Sequence, residues 1–213
     1  MRNLISILKK SIRLIIGFIL CASSTVFMLN SNLGLSPWDV FHQGLANVTG
    51  LTIGQANIVS SLAVIITGIL LGQRIGLGTI LNIIMIGKFV DIINESNIIP
   101  VASSLSMGII MMVIGMLVMG YGCYLYIGCE LGCGPRDGLM VGLSAKLKKP
   151  IKLIRGSIEV FVLLVGVILG GKVGIGTLIS AFAIGYCIQL IFKICKFDAV
   201  NVKHKSVFES IKI

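Results

Sequence analysis

Apolar residues run along this chain in six blocks, near 11–30, 54–72, 76–93, 103–127, 153–171 and 174–194, separated by short polar or glycine-rich joints. About 20 helical residues cross a hydrocarbon core, so each block reads as a transmembrane helix, the third and fifth being the shortest. Two shorter stretches, 37–47 and 135–147, follow the first and fourth blocks. They are too short to span. Each is expected to form a helix that lies at the interface or dips back into the bilayer, with irregular backbone buried in protein.

The pattern repeats. Shifting the chain by 98 residues aligns 33–93 with 131–191 without a gap and pairs Leu33 with Leu131, Gly34 with Gly132, Pro37 with Pro135 and Asp39 with Asp137. Further identities follow at Gly44/Gly142, Leu45/Leu143, Gly68/Gly166, Gly72/Gly170, Gly76/Gly174, Gly78/Gly176, Thr79/Thr177 and Gly87/Gly185, and Gly17/Gly115 carries the register back into the first block. Seven of the pairs after residue 33 are glycines, where about one would arise by chance. The expected fold is therefore all-α: six transmembrane helices as two three-helix repeats, 11–93 and 103–194, each with a short non-spanning helix after its first span. They form one membrane domain over 1–213 with a cytoplasmic tail over 195–213. Three spans per unit, an odd number, predict opposite orientations of the two copies in the bilayer.

Composition agrees that lipid is the main solvent. Hydrophobic residues make up 56% and charged residues 12%, with a mean hydropathy of +1.03, whereas soluble domains carry about 25% charge. The net charge of +10 would suggest nucleic acid in a soluble protein. Here no basic stripe is interleaved with stacking aromatics, and no nucleic-acid partner is expected.

The basic residues instead report topology. With the N-terminus inside, 15 of the 18 Lys and Arg fall on the cytoplasmic side; Lys88 and Lys172 fall on the other, and Arg155 lies within the fifth block. This bias predicts a multi-pass protein of the bacterial cell membrane with both termini cytoplasmic. The small residues Ala22-Ser23-Ser24 after the first basic cluster could end a signal peptide. The apolar run continues beyond them through Val26–Leu29, so a retained first helix is expected.

Candidate chemistry is sparse. Gly34–Asp39 and Gly132–Asp137 each bring a glycine run to a proline at the first helical position, with an acid two residues on. Proline is pre-organised there, and the acid complements the positive helix start. These segments are either rigid connections or paired half-helices facing a central site, as in many secondary transporters. Arg136 and Asp137 in the second copy, and Asp39 in the first, are binding or coupling candidates, while Trp38 also fits an interfacial anchor. Arg155 and Glu159 share a helix face four residues apart, and Glu159 is the leading candidate because intramembrane acids are expensive. Their first-copy counterparts are Asn57, which joins the candidates, and Ser61. Gly76, Gly78, Thr79, Gly174, Gly176 and Thr177 form matching turns, and the glycine ladders 68/72/76 and 166/170/174 suit tight helix packing.

Cys129 and Cys133 flank Glu130, but the two histidines, His42 and His204, are distant in sequence, so no metal site and no cofactor are expected. Neither HExxH nor a phosphate-binding Gly-x4-Gly-Lys-Ser/Thr loop occurs, and the chain is not expected to be an enzyme.

The stretches GLGLSPWDVFHQGL and GCGPRDGLMVGL, the RGSIE pair and the two GxGT turns resemble the YczE/YyaS/YitT group of bacterial integral membrane proteins, in particular its YczE-like branch, over about 15–195. The resemblance implies an inner-membrane protein of six or so spans, some relatives being classed with small-molecule exporters. It supplies no catalytic or binding residues. The expected function is a secondary transporter, an exporter among the options, of an unidentified small molecule by alternating access between the repeats. The alternative is a non-transporting accessory protein supporting another membrane or biosynthetic system. The expected partners are the bilayer and the substrate; a homo-oligomer is compatible with the sequence.

Overall fold

The structure, a computed structural model, describes residues 2–72, 76–132, 134–149 and 151–197. Eight α-helices occur among the described residues: α1 Arg2–Asn30, α2 Pro37–Thr49, α3 Ile53–Leu70, α4 Leu77–Glu95, α5 Leu105–Ile127, α6 Pro135–Leu147, α7 Ile151–Ile168 and α8 Ile175–Ile194. Five of them, α1, α3, α4, α5 and α8, are long and apolar enough to cross a membrane. The protein is an all-helical membrane protein. The fifth apolar block becomes α7, as long as α3 but set apart by Lys152, Arg155 and Glu159. The helix α1 starts well before the apolar block at 11, because nothing between Arg2 and Lys10 breaks it.

Local chemistry explains the helix limits. Ser36 caps α2, Pro37 occupies its first turn, and Gly50 closes it in a left-handed conformation, φ 73°, donating its N–H to the Ala46 carbonyl. Thr52 and Gln55 form a capping box at the start of α3, satisfying two helix-end donors reciprocally. Asp91, near the end of α4, accepts from the Thr52 hydroxyl at 2.5 Å and from the Gly54 N–H at 2.9 Å, tying α3 to α4.

The centre of the fold is α1 against α5. The two run antiparallel: Gly17 lies against Gly122 and Tyr126, whereas Gly115 lies against Ser24, Phe27 and Met28. Leu14, Phe18, Cys21, Tyr126 and Cys129 are buried there, with the rings of Phe18 and Tyr126 5.9 Å apart. The Ser24 hydroxyl donates to the Gly115 carbonyl at 2.7 Å, a close approach that the glycine permits. Around this pair, α4 packs on α1 and α8 on α5, while α2 packs on α7 and α6 on α3.

The 98-residue spacing reappears in the backbone. Left-handed or related positive φ values occur at Asn32 and Glu130 (56° and 63°), Gly34 and Gly132 (122° and 129°), Gly50 and Lys148 (73° and 52°), and Gly72 and Gly170 (81° and 83°). Contacts repeat as well. The Gly176 N–H donates to the Leu33 carbonyl and the Gly78 N–H to the Leu131 carbonyl, both at 2.7 Å. The correspondence is incomplete. Gly87 of α4 lies against Gly54 and Ile58 of α3, but among the described residues nothing lies within 4 Å of a Cβ built on its equivalent, Gly185 of α8.

A candidate central site at two helix starts

Both short helices begin among buried residues. Pro37, Trp38, Asp39, Val40, His42 and Gly44 of α2 are buried, and Gly134 and Pro135 at the start of α6 are buried too. Each helix is entered from an extended segment pinned to the opposite half of the chain. Leu33-Gly34 sits against the Gly174–Thr177 turn, and Leu131-Gly132 against Gly76–Thr79. At Gly34 a Cβ would stand 2.6 Å from the Thr177 hydroxyl, and at Gly132 2.5 Å from that of Thr79. Glycine is required at both for the backbone angle and for the space. The sequence-selected residues Gly34, Pro37, Gly76, Gly78, Thr79, Gly132, Pro135, Gly174, Gly176 and Thr177 thus form two matching joints.

The joints bring the helix starts together. The Arg136 guanidinium stacks over the indole of Trp38, 4.6 Å from the ring centroid, a geometry that attracts a cation to the ring face. Trp38 is only 8% exposed. It is therefore an interior platform for Arg136, because the entry segment at Gly34 leads α2 into the bundle.

Behind Trp38 lies a polar chain. The Ser36 hydroxyl donates to Asp39 Oδ2 at 2.6 Å and accepts the Asp39 N–H at 3.4 Å. Asp39 Oδ1 is 3.6 Å from His42 Nδ1, with both side chains almost completely buried. Among the described residues, His42 Nε2 has no hydrogen-bond partner. The imidazole lies between Trp38 and Phe41, its ring centroid 6.3 and 6.1 Å from theirs. Sequence reasoning passed over His42 because its counterpart in the second copy is Met140, so the repeat did not flag it. The available signal was its spacing, one helical turn from Asp39 on the same face.

The other candidates make local contacts within their own helices. Arg155 Nε donates to Glu159 Oε1 at 3.2 Å along α7, with the two side chains 51% and 25% exposed. These two candidates meet each other. Asn57, in α3, takes the Ser61 hydroxyl at 3.5 Å and the Ser60 hydroxyl on its carbonyl at 3.0 Å. The backbone of Asp137 lies in the first turn of α6, but its side chain falls outside the described residues, as does Cys133. The Cys129 thiol donates to backbone carbonyls of Lys10 and Leu125, while the neighbouring Glu130 carboxylate pairs with Lys10 at 3.1 Å.

A cleft of about 450 Å³ opens beside the α2 entry segment, lined in part by Asn30, Asn32, Gly34, Gln43, Lys172 and Gly174. Gln43 Oε1 accepts the Lys172 backbone N–H at 2.7 Å, and Asn47 Nδ2 donates to the Gly170 carbonyl at 2.8 Å. These bonds fasten α2 to the α7–α8 turn and hold the cleft's wall.

Several relatives share most of the chain. An uncharacterised protein of Haemophilus influenzae is 42% identical over 164 residues, covering 77% of this chain and 74% of its own. The uncharacterised membrane protein YczE of Bacillus subtilis is 35% identical over 158 residues, 74% of this chain and 73% of its own. The uncharacterised protein YyaS of the same species is 29% identical over 168 residues, 78% and 83% of the two chains. No solved structure matches. The model of a family of unknown function, DUF6198, matches residues 8–193, and this membrane protein belongs to that family, alongside relatives of the YczE type.

Proposed function

We propose that the protein is a secondary transporter of a small molecule, built from two inverted repeats that alternate access to a site between the starts of α2 and α6. The observation that carries this reading is the Arg136–Trp38 stack. It joins two short helices, one from each repeat, whose N-termini begin inside the bundle. Half-helices meeting at mid-depth are how many transporters place backbone dipoles on a substrate. The antiparallel α1–α5 pair and the exchanged Gly176–Leu33 and Gly78–Leu131 bonds support inverted topology. In this reading α7 is a sixth span, and the reaction is movement without a chemical step.

Equivalent positions of the two repeats differ in their surroundings. Asn32, whose equivalent in the shift is Glu130, lines the open cleft, whereas Glu130 is held to Lys10 at 3.1 Å. The buried centre, with Trp38, Asp39 and His42 covered, also suits a non-transporting accessory protein, so the two readings need a measurement of motion. Spin labels at Asn32 and Lys172, and separately at Lys10 and Glu130, should each show two distances in lipid. Any condition that shortens one pair should lengthen the other. One fixed distance at both ends under every condition would leave the accessory reading.

The proposed orientation puts both termini and 141–152 in the cytoplasm of a bacterial cell. Single cysteines at Asn47, Asn97 and Lys148 in a cysteine-free background test it with impermeant thiol reagents on whole cells. Asn47 and Asn97 should label and Lys148 should not. The reverse pattern inverts the topology.

A further inference from the structure

The cleft beside the α2 entry segment lies where three connections meet: 31–36 after α1, 96–104 after α4 and 169–174 after α7. Three amide side chains line it, and backbone bonds fix which end of each is left over. A peptide N–H only donates and a peptide carbonyl only accepts. The Lys172 N–H donates to Gln43 Oε1 at 2.7 Å, which leaves the Gln43 Nε2 donor. Asn30 Nδ2 donates to the Ile99 carbonyl at 2.7 Å and Asn32 Nδ2 to the Ala102 carbonyl at 3.4 Å, which leaves two Oδ1 acceptors. Asn30 is 9% exposed. Among the described residues its Oδ1 accepts no bond, although acceptors on buried side chains nearly always have a partner.

These groups are sorted by kind. The donors, Gln43 Nε2 and the Lys172 ammonium, belong to α2 and the α7–α8 connection, which are bonded to each other. The acceptors belong to the end of α1 and the residues after it, bonded to the α4–α5 connection. Lys172 is the one charged residue among those lining the cleft, and its ammonium has no ion-pair partner among the described residues. Gly174, which also lines the cleft, caps α8, so the positive end of that helix adds to the lysine. An anionic group therefore suits the Lys172–Gln43 side, and a lone cation does not. A lone anion would leave both asparagine oxygens unserved. A hydroxyl, with one hydrogen, serves one of them; an ammonium, with three, serves both. Leu29, Leu33, Val101 and Val173 complete the wall. The space of about 450 Å³ equals about fifteen water volumes and falls in the usual range for small-molecule sites.

We propose that this cleft binds a small free zwitterion, by chemical class an amino acid, with its carboxylate on Lys172 and Gln43 and its ammonium on Asn30 and Asn32. The ligand fills the gap between the two bonded groups and joins the end of α1 to the α7–α8 connection. This site is separate from the starts of α2 and α6, and binding there does not depend on the transporter reading. The headgroup of an ethanolamine phospholipid carries the same two charges, so the test separates a free ligand from a lipid.

The test uses the full-length protein in phosphatidylcholine nanodiscs, with radiolabelled glycine and L-leucine as probes in equilibrium dialysis. At least one amino acid should bind, and acetate and methylamine, each with one of the two charges, should compete at least about tenfold more weakly. Lys172→Gln removes the charge from an exposed side chain and keeps the backbone N–H that holds Gln43; it should weaken binding about tenfold or more. Gln43→Glu keeps an acceptor for that N–H but exchanges the free donor for a second acceptor, and should also remove binding. Asn32→Ala should narrow the preference for an amino acid over acetate. Thermal unfolding without probe checks that each variant is folded. No binding of either probe up to the hundred-millimolar range overturns the inference. So does binding that both Lys172→Gln and Gln43→Glu leave unchanged, or acetate competing as well as glycine. Loss of binding when phosphatidylethanolamine is added to the nanodiscs assigns the cleft to a lipid headgroup and overturns the free ligand. Spin-label distances fixed under every condition would remove transport and leave this binding standing.

Discussion

Gly34→Ala is expected to destabilise the protein by about 4 kcal/mol, and Gly132→Ala by a similar amount. Two effects act together at each position. The backbone angles of 122° and 129° lie where an L side chain is strained, which costs about 1–3 kcal/mol. The new Cβ at Gly34 would also stand 2.6 Å from the Thr177 hydroxyl and 2.8 Å from backbone nitrogens of Gly174 and Thr177. Overpacking of that kind typically costs about 1–3 kcal/mol more. Backbone cannot rotate away as a flexible side chain can, so Thr177→Ala should rescue Gly34→Ala only in part. Thermal unfolding in detergent, followed by loss of soluble protein, measures both variants. Wild-type stability in Gly34→Ala would show that the entry segment is not pinned to the start of α8. Gly50 is the control: a Cβ there would meet nothing within 4 Å, so Gly50→Ala should carry only the backbone penalty of about 1 kcal/mol.

Asp39→Ala is the second large effect, expected to cost about 3 kcal/mol and, under the proposed function, to abolish transport. Asp39 is 5% exposed; its carboxylate accepts from Ser36 at 2.6 Å and faces His42. Removing it strands a buried hydroxyl and imidazole and leaves the nearby Arg136 charge less balanced, the situation in which breaking a buried pair is strongly destabilising. Asp39→Asn separates the two consequences. The amide keeps the volume and an acceptor for Ser36, so most of the stability should return, whereas the carboxylate charge facing His42 would be gone. Equal stability of Asp39→Ala and wild type would mean that this buried cluster does not hold α2 in place.

Local patterns were readable before any coordinates. The prolines at 37 and 135 mark the starts of α2 and α6 because proline fits a helix only near its first turn. The six apolar blocks became the six long helices because hydropathy and glycine punctuation are properties of neighbouring residues. The site was less legible. Glu159 drew attention as an acid in an apolar run, yet its pairing with Arg155 is one that any helix makes at a spacing of four. His42 looked like an ordinary polar residue on a short helix, and nothing in the chain around it announces that its side chain is almost wholly buried.

By itself, then, the chain determined that it belongs in lipid, that one pattern of glycines, prolines and apolar blocks occurs twice, and that each copy carries a short proline-led helix. These follow from composition and from a 98-residue spacing that needs no folding to be seen. The tertiary structure alone decided that Trp38 lies beneath Arg136, that Asp39 and His42 are sealed behind it, and that the Leu33 and Leu131 carbonyls meet the opposite halves. The stack and the carbonyl bonds join residues far apart in the chain, and they depend on how closely backbones approach at Gly34, Gly132 and their partners. Hydropathy reports which segments leave water; it does not report which of their faces meet, because that is set by side-chain volume and backbone angle across the contact.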